Sequence, residues 1–297
     1  MKDKAQKVSC RKIIQVIMLL ITNGYVQGFF NKTIFRGGSK RFCVPGMNCY
    51  SCPGAFGACP IGSLQAVIGS LKYQFSFYVG GFIALFGVFF GRFVCGWLCV
   101  FGLIEEWLYK IPVPKIKIPN WLDQRLRYLK YVTLGVFVIG LPLFLKNKFG
   151  IAPPYFCEWI CPVGTLEGGI PLVLLKESLR RSIGFLFYWK FAILLFIIFL
   201  SMTIYRPFCK YICPLGAIYG IFNKISIVKL AVNKNACVNC HKCEKVCPMQ
   251  VKPQKNPDSA ECIRCGSCTQ TCPKNALKIC MTTEKQSCNR DIKRERN

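Results

Sequence analysis

The chain has 297 residues, of which 53% are hydrophobic and 21 are cysteines, and its formal charge is +27. Its long apolar runs argue against an ordinary soluble protein and indicate a membrane protein. The Lys and Arg residues are spread over loops and the C-terminal part and form no stripe interleaved with aromatic residues, which argues against nucleic-acid binding. Membrane orientation and contact with anionic lipid explain them better.

Four apolar stretches approach the roughly 20 residues that a helix needs to cross a bilayer. We predict spans over Ile13–Phe30, Tyr73–Val94, Leu126–Leu145 and Ile183–Tyr205. The first stretch has a basic start but no small-x-small cleavage site after Ile21, so we predict an uncleaved span and not a signal peptide. With both termini inside, the inner segments hold most of the Lys and Arg, which predicts a multi-pass protein of the cell membrane.

A cysteine motif repeats at matching ends of the second and fourth spans. The inner pairs are Cys95-x3-Cys99 and Cys209-x3-Cys213-Pro, and the outer motifs are Cys59-Pro-Ile-Gly and Cys157-x3-Cys161-Pro-Val-Gly. The repetition predicts two parallel halves, residues 1–125 and 126–230, each with two spans and related by an axis along the membrane normal.

The four inner cysteines are predicted to share one site, because a spacing of four residues places two thiolates on one side of a helical turn. Four soft thiolates at one membrane depth suit a further [4Fe–4S] cluster, copper or zinc. Arg92, Arg206 and Lys210 would then offset the negative charge of the cluster. The alternative is a set of free cysteines that pack helices.

The outer loops carry six cysteines, namely Cys43, Cys49, Cys52, Cys59, Cys157 and Cys161. Glycines and prolines surround the first four, as expected for a tight loop wrapped around a cofactor. We predict a metal or cluster site there, on the membrane face opposite the inner pairs. Disulfides are the alternative, because outer compartments can oxidise exposed thiols.

The C-terminal part contains two consecutive four-cysteine runs. They read Cys237-x2-Cys240-x2-Cys243-x3-Cys247-Pro and Cys262-x2-Cys265-x2-Cys268-x3-Cys272-Pro. This is the spacing of a bacterial ferredoxin with two [4Fe–4S] clusters, in which the fourth cysteine of each run ligates the other cluster. We therefore assign Cys237, Cys240, Cys243 and Cys272 to one cluster, and Cys262, Cys265, Cys268 and Cys247 to the other. A pair of zinc knuckles is the alternative.

These motifs predict an α-helical polytopic membrane protein with a small α+β ferredoxin domain. That domain occupies residues 231–281, and residues 282–297 form a basic tail that we expect to be disordered. Apo-domains of this kind usually receive their clusters in the cytoplasm, so we place the domain on that side. With a single histidine, acid–base catalysis has few participants. We therefore expect an electron-transfer component and not a stand-alone enzyme.

The inner pairs and the double run together resemble the NapH-type membrane ferredoxins, which are similar to the membrane parts of NosR-type and CcoG-type proteins. The likeness covers about residues 73–275. It implies electron transfer between the membrane or quinone pool and a partner reductase. Our leading hypothesis is a transmembrane electron conduit. The alternatives are a metal-handling or metalloenzyme-maturation factor that uses the Cys-x3-Cys sites, and an anchored structural subunit.

Overall fold

The computed structural model of the chain describes residues 2–70, 76–148 and 150–281. The predicted disordered tail therefore lies outside the described residues, as does Tyr73 at the start of the second predicted span. The chain divides into two compact units. The first unit comprises Met1–Ile14, Ala84–Leu98 and Ile218–Asn297, and the second comprises Gln15–Ile83 and Cys99–Ala217. The boundaries predicted at residues 125 and 230 stay predictions.

The first unit contains the ferredoxin segment. Its strands β1 (Val228–Val232) and β2 (Leu277–Met281) pair antiparallel, with Val228 opposite Met281. Two short helices lie between the strands in sequence, Lys242–Lys245 and Ser267–Thr271. The second begins after Gly266, whose φ of +83° suits glycine. Leu230 and Leu277 form an apolar core with Cys243 and Cys268, so that the strands cover the cysteine runs.

Further helices contribute to the first unit along part or all of their length. They are Lys2–Asn23, Phe77–Phe90, Phe93–Trp97 and Pro214–Phe222. The second unit consists of helices and loops among its described residues, with an isolated β-bridge between Cys43 and Ala58. Its remaining helices are Gln27–Phe30, Gly38–Arg41 (3-10), Pro60–Gly69, Val100–Tyr109, Asn120–Leu126, Leu129–Thr133, Leu134–Gly140 (π), Leu141–Phe144, Tyr155–Trp159, Gly164–Gly169 (π), Ile170–Leu175, Glu177–Arg181, Phe185–Thr203 and Pro207–Tyr211.

Two helical stretches among the described residues are long and apolar enough to cross a membrane, Asn120–Phe144 and Phe185–Thr203. They coincide with the third and fourth predicted spans. Their side chains are mostly exposed, including Phe185 and Phe199, and in a bilayer this apolar surface would face lipid.

The described residues of the other two predicted spans form no helix that is long and apolar enough to cross a membrane. The helix in the first ends at Asn23, short of Phe30. The helix in the second has 14 residues, Phe77–Phe90, and at 1.5 Å per residue it extends about 21 Å, less than the roughly 30 Å of a hydrocarbon core. Gly91, with φ of +53°, follows its last turn. Four crossings therefore stay a prediction.

Candidate functional site

The cysteines of the double run line two small cavities in the first unit. One is lined by Cys237, Cys240, Cys243 and Cys272, and the other by Cys247, Cys262, Cys265 and Cys268. Each cavity takes three cysteines from one run and the last cysteine of the other. The structure thus brings together the two sets of four that the ferredoxin spacing assigns to separate clusters.

The surroundings of these thiols fit iron–sulfur clusters. Apolar side chains share the cavity walls, Val232 and Leu277 in one and Met249 and Ile279 in the other. The backbone N–H of Ala276 donates to the Cys272 sulfur at 3.3 Å, and such donors tune cluster potentials. Among the described residues, no three His, Cys, Asp or Glu side chains stand close enough to share a single metal ion. Cubane ligands stand farther apart, since each thiolate binds a different iron.

His241 adds a sequence feature that the ferredoxin interpretation does not use. Cys237-x2-Cys240-His241 matches the spacing of a c-type haem attachment. In the structure the His241 ring is about half exposed and its Nδ1 lies 3.1 Å from the amide nitrogen of Gln254 and 3.4 Å from a carboxylate oxygen of Glu244. Cys237 and Cys240 instead line the same cavity as Cys243 and Cys272.

The second cysteine run contacts the Cys95 motif directly within the first unit. The indole Nε1 of Trp97 donates to the carbonyl oxygen of Arg264 at 3.0 Å. A Cβ atom on Gly96 would lie only 2.3 Å from the carbonyl oxygen of Ile263. Ile263 and Arg264 lie between the first two cysteines of the second run, and Gly96 follows Cys95 in sequence. The ligand loop of one predicted cluster therefore touches the motif of an inner cysteine.

Arg264 holds this contact in place through its buried guanidinium group, which is 1% exposed. Its Nη1 donates to the Phe90 carbonyl oxygen at 2.8 Å. Its Nη2 donates to the Asn223 carbonyl oxygen at 2.9 Å and to the Ser226 hydroxyl at 2.8 Å. The side-chain amide of Asn223 in turn donates to the Cys262 carbonyl oxygen at 2.9 Å. No sequence motif identified Arg264, Asn223 or Ser226 as residues that position the site.

The cations expected to offset a cluster's charge have carboxylate partners. Arg92 is fully buried and pairs with Glu261 at 2.6 Å in the first unit. In the second unit, Arg206 pairs with Glu106 at 2.8 Å, and Lys210 pairs with Asp123 at 2.5 Å. Each of the three cations thus has a carboxylate partner. Arg206 also lies close enough to Cys99 and Cys209 for its charge to interact with theirs, as expected of a cation that offsets a cluster, and the offsetting role of the three residues stays a prediction.

The inner cysteines are divided between the two units. Cys95 belongs to the first, and Cys99, Cys209 and Cys213 belong to the second. In the second unit, the charges of Cys99 and Cys209 are close enough to interact, and burial raises the pKa of Cys99 to about 11. The backbone N–H of Gly216 donates to the Cys213 sulfur at 3.4 Å. A single site shared by all four cysteines stays a prediction.

The outer cysteines lie in the second unit, where all six are free thiols. A cavity of about 1260 Å³ is lined by Cys43, Cys49, Cys59, Cys157 and Cys161. Cys52 lies beside Cys49 and Lys40. Burial raises the pKa of Cys49 and of Cys157 to about 12, so their deprotonation calls for a bound cation. No disulfide joins any two of these six residues in the structure.

Met47 connects this thiol-lined cavity to an inner cysteine. Its thioether sulfur lies 4.0 Å from the Cys59 sulfur, and its backbone N–H approaches the Cys99 thiol. The sequence predicted the outer loop and Cys99 on opposite membrane faces. Within the second unit, the loop instead reaches Cys99, which corrects that expectation.

Comparison with known proteins agrees with the cysteine pattern. One 4Fe–4S binding domain family matches residues 73–119, 132–173 and 186–234, and a second 4Fe–4S binding domain family matches residues 256–278. Each segment of the first match contains one Cys-x3-Cys pair. No solved structure matches the chain significantly.

Several known proteins are similar in sequence to a large part of this chain. The uncharacterized protein MJ0750 of Methanocaldococcus jannaschii is 33% identical over 69% of this chain and 79% of its own length. The ferredoxin-type protein NapH of Escherichia coli is 26% identical over 53% of this chain and 47% of its own length. The methylamine utilization ferredoxin-type protein MauN of Methylorubrum extorquens is 28% identical over 53% of this chain and 47% of its own length.

The match to NapH and to MauN thus covers about half of each protein. The family matches and the many cysteines show that the chain binds iron–sulfur clusters. Together with the relatives, they show that the chain belongs to the NapH-, NosR- and MauN-related family of 4Fe–4S ferredoxin-type proteins.

Proposed function

We propose that this protein carries single electrons between a cytoplasmic or quinone-linked donor and a partner reductase, through the ferredoxin clusters and the cysteine motifs of a multi-pass membrane part. The observation that carries the proposal is the contact of Ile263 and Arg264 with Gly96 and Trp97. It joins the ligand loop of the second run to the motif of Cys95. Cys95 is itself buried, at 4% exposure.

The two ferredoxin clusters take different roles in this proposal. The second-run cluster faces the Cys95 motif and passes electrons to or from it. The first-run cavity lies under an exposed surface, where Cys240 is exposed and Val238 is 59% exposed. Lys242 and Lys274 line this cavity and are exposed, and they would favour an acidic partner protein through complementary charge. We therefore place the docking of the soluble redox partner at the first-run cluster.

Transfer through the chain can be measured in liposomes that contain the full protein. Dithionite is added outside, and ferricyanide, which accepts one electron per molecule, is trapped inside. We expect ferricyanide to bleach only in liposomes with protein. Gly96→Ala should slow the bleaching several-fold at unchanged iron content, because its methyl group displaces the Ile263 carbonyl.

The matched control for this experiment is Gly81→Ala, since a Cβ there meets nothing within 4 Å. This variant should bleach ferricyanide at the wild-type rate. Wild-type protein that contains its clusters and transfers no electrons would contradict the conduit. Equal rates for both alanine variants would contradict the proposed contact between the second run and the Cys95 motif.

The membrane part of the proposal rests on the helix Phe185–Thr203 as a crossing segment. Leu195 is half exposed near its centre, and an arginine at the centre of a span costs about 2.5–3.5 kcal/mol in insertion. We expect Leu195→Arg to lower the fraction of protein that resists alkaline extraction from membranes. Leu179→Arg is the control, because Leu179 is 40% exposed and lies outside the candidate spans. Equal retention of both variants would contradict the crossing.

A further inference from the structure

Four of the outer thiols form a set of mutual neighbours in the second unit. They are Cys49, Cys59, Cys157 and Cys161. The charges of every pair among the four are close enough to interact. In the ferredoxin domain, Cys268 interacts in this way with Cys247, Cys262 and Cys265 and also with Cys243, but it lines one cavity with the first three only. A set of four thiols around one space is therefore the arrangement that this chain uses where its sequence predicts a cubane.

The space beside these four thiols is large and contains an unused polar group. All four line the cavity of about 1260 Å³. Asn48 lines it too, at 1% exposure, and neither polar atom of its side chain has a hydrogen-bond partner. An unpaired buried amide is costly, and a bound group with sulfide or thiolate acceptors would satisfy its N–H donors.

Hydrogen-bond donors reach two of these four sulfurs, Lys190 lies near Cys157, and the Glu167 carboxylate lies near Cys49. The Gln65 amide donates to the Cys157 sulfur at 3.3 Å, and the Gly164 N–H donates to the Cys161 sulfur at 3.4 Å. Lys190 lies beside the Cys157 backbone, with its Nζ donating to the carbonyl oxygen at 3.1 Å. Hydrogen bonds to sulfur and nearby cations stabilise a cluster that carries net negative charge.

We infer that Cys49, Cys59, Cys157 and Cys161 together ligate a further [4Fe–4S] cluster, with Cys43 and Cys52 outside the ligand set. This site deepens the proposed electron-transfer function, on which its role rests. Cys52 does not line the cavity, and the Cys43 thiol donates to the Ser63 hydroxyl at 3.6 Å. Met47, between Cys59 and Cys99, places the cluster near Cys99, one of the inner cysteines of this unit.

Iron and acid-labile sulfide in the anaerobically purified full chain test the ligand set. Two ferredoxin clusters account for about eight irons, so this site raises the wild-type content to at least about twelve. We expect Cys59→Ser and Cys157→Ser each to lose about four irons. Cys52→Ser is the matched control, a cysteine of the same loop that should keep the wild-type content. The size-exclusion profile in detergent shows which variants remain folded.

Two results would overturn the inference, and neither depends on a variant that folds poorly. One is a wild-type protein with about eight irons per chain, because the two ferredoxin clusters account for all of them and leave no iron for this site. The other is a Cys52→Ser protein that loses as much iron as Cys157→Ser, which would contradict the proposal that Cys52 lies outside the ligand set. If the iron counts agree with the site and liposomes with protein transfer no electrons, the proposed function fails while the cluster site stands.

Discussion

Replacing Cys272 by serine is expected to abolish the cluster held by Cys237, Cys240 and Cys243, although Cys272 belongs to the other run. The reason is that Cys272 lines the first-run cavity. We expect a loss of about four irons per chain. The ferredoxin domain should also lose stability, because metal binding in small metallodomains contributes directly to their folding free energy.

A pair of double variants tests this crossed arrangement without any spectral assignment. Cys237→Ser with Cys272→Ser should lose about four irons, since both residues serve one cluster. Cys237→Ser with Cys268→Ser should lose about eight, since these residues serve different clusters. An uncrossed ferredoxin would give about eight in the first case, so the two iron counts decide between the arrangements.

Replacing Arg92 by alanine is expected to destabilise the first unit strongly. Arg92 is fully buried, pairs with Glu261 at 2.6 Å and donates to the Ala260 carbonyl oxygen at 2.9 Å. Removing one partner of a buried ion pair leaves an uncompensated charge and typically costs about 3–5 kcal/mol. Thermal unfolding of the detergent-solubilised protein should therefore begin at a clearly lower temperature.

Arg181→Ala provides the matched control, because Arg181 pairs with Glu177 at 2.8 Å while both side chains are largely exposed. Exposed pairs contribute about 0–1 kcal/mol, so this variant should unfold close to the wild-type temperature. Arg92→Met combined with Glu261→Met should recover much of the loss, because two apolar side chains remove the unpaired charge. Similar unfolding temperatures for Arg92→Ala and Arg181→Ala would contradict the importance of the buried pair.

Local spacing was enough to predict the ferredoxin ligands as a chemical set. Each run places three cysteines within seven residues, so one loop can bring them around one cubane before any distant contact forms. Hydropathy likewise predicted spans over Leu126–Leu145 and Ile183–Tyr205, because a long apolar run in a helix needs an apolar environment, and they coincide with the helical stretches Asn120–Phe144 and Phe185–Thr203. Both features depend on residues that are close together in the sequence.

The partners of the buried charges required the tertiary structure. Arg92 and Glu261 are 169 residues apart, and Lys210 pairs with Asp123 across 87 residues of sequence. Residue type predicted positive charge near the motifs but could not reveal which carboxylate balances it. A pairing energy between buried charges depends on distance and burial, and neither follows from local sequence.

Residue type and spacing alone thus determined that this chain binds iron–sulfur clusters, and which eight cysteines are candidates for two of them. Only the tertiary structure decided which of the six outer cysteines lie together. Cys49 and Cys59 come from one loop, and Cys157 and Cys161 from another about one hundred residues later. A ligand set assembled from distant segments has no characteristic spacing, because the fold and not the local backbone sets the distances between its sulfurs.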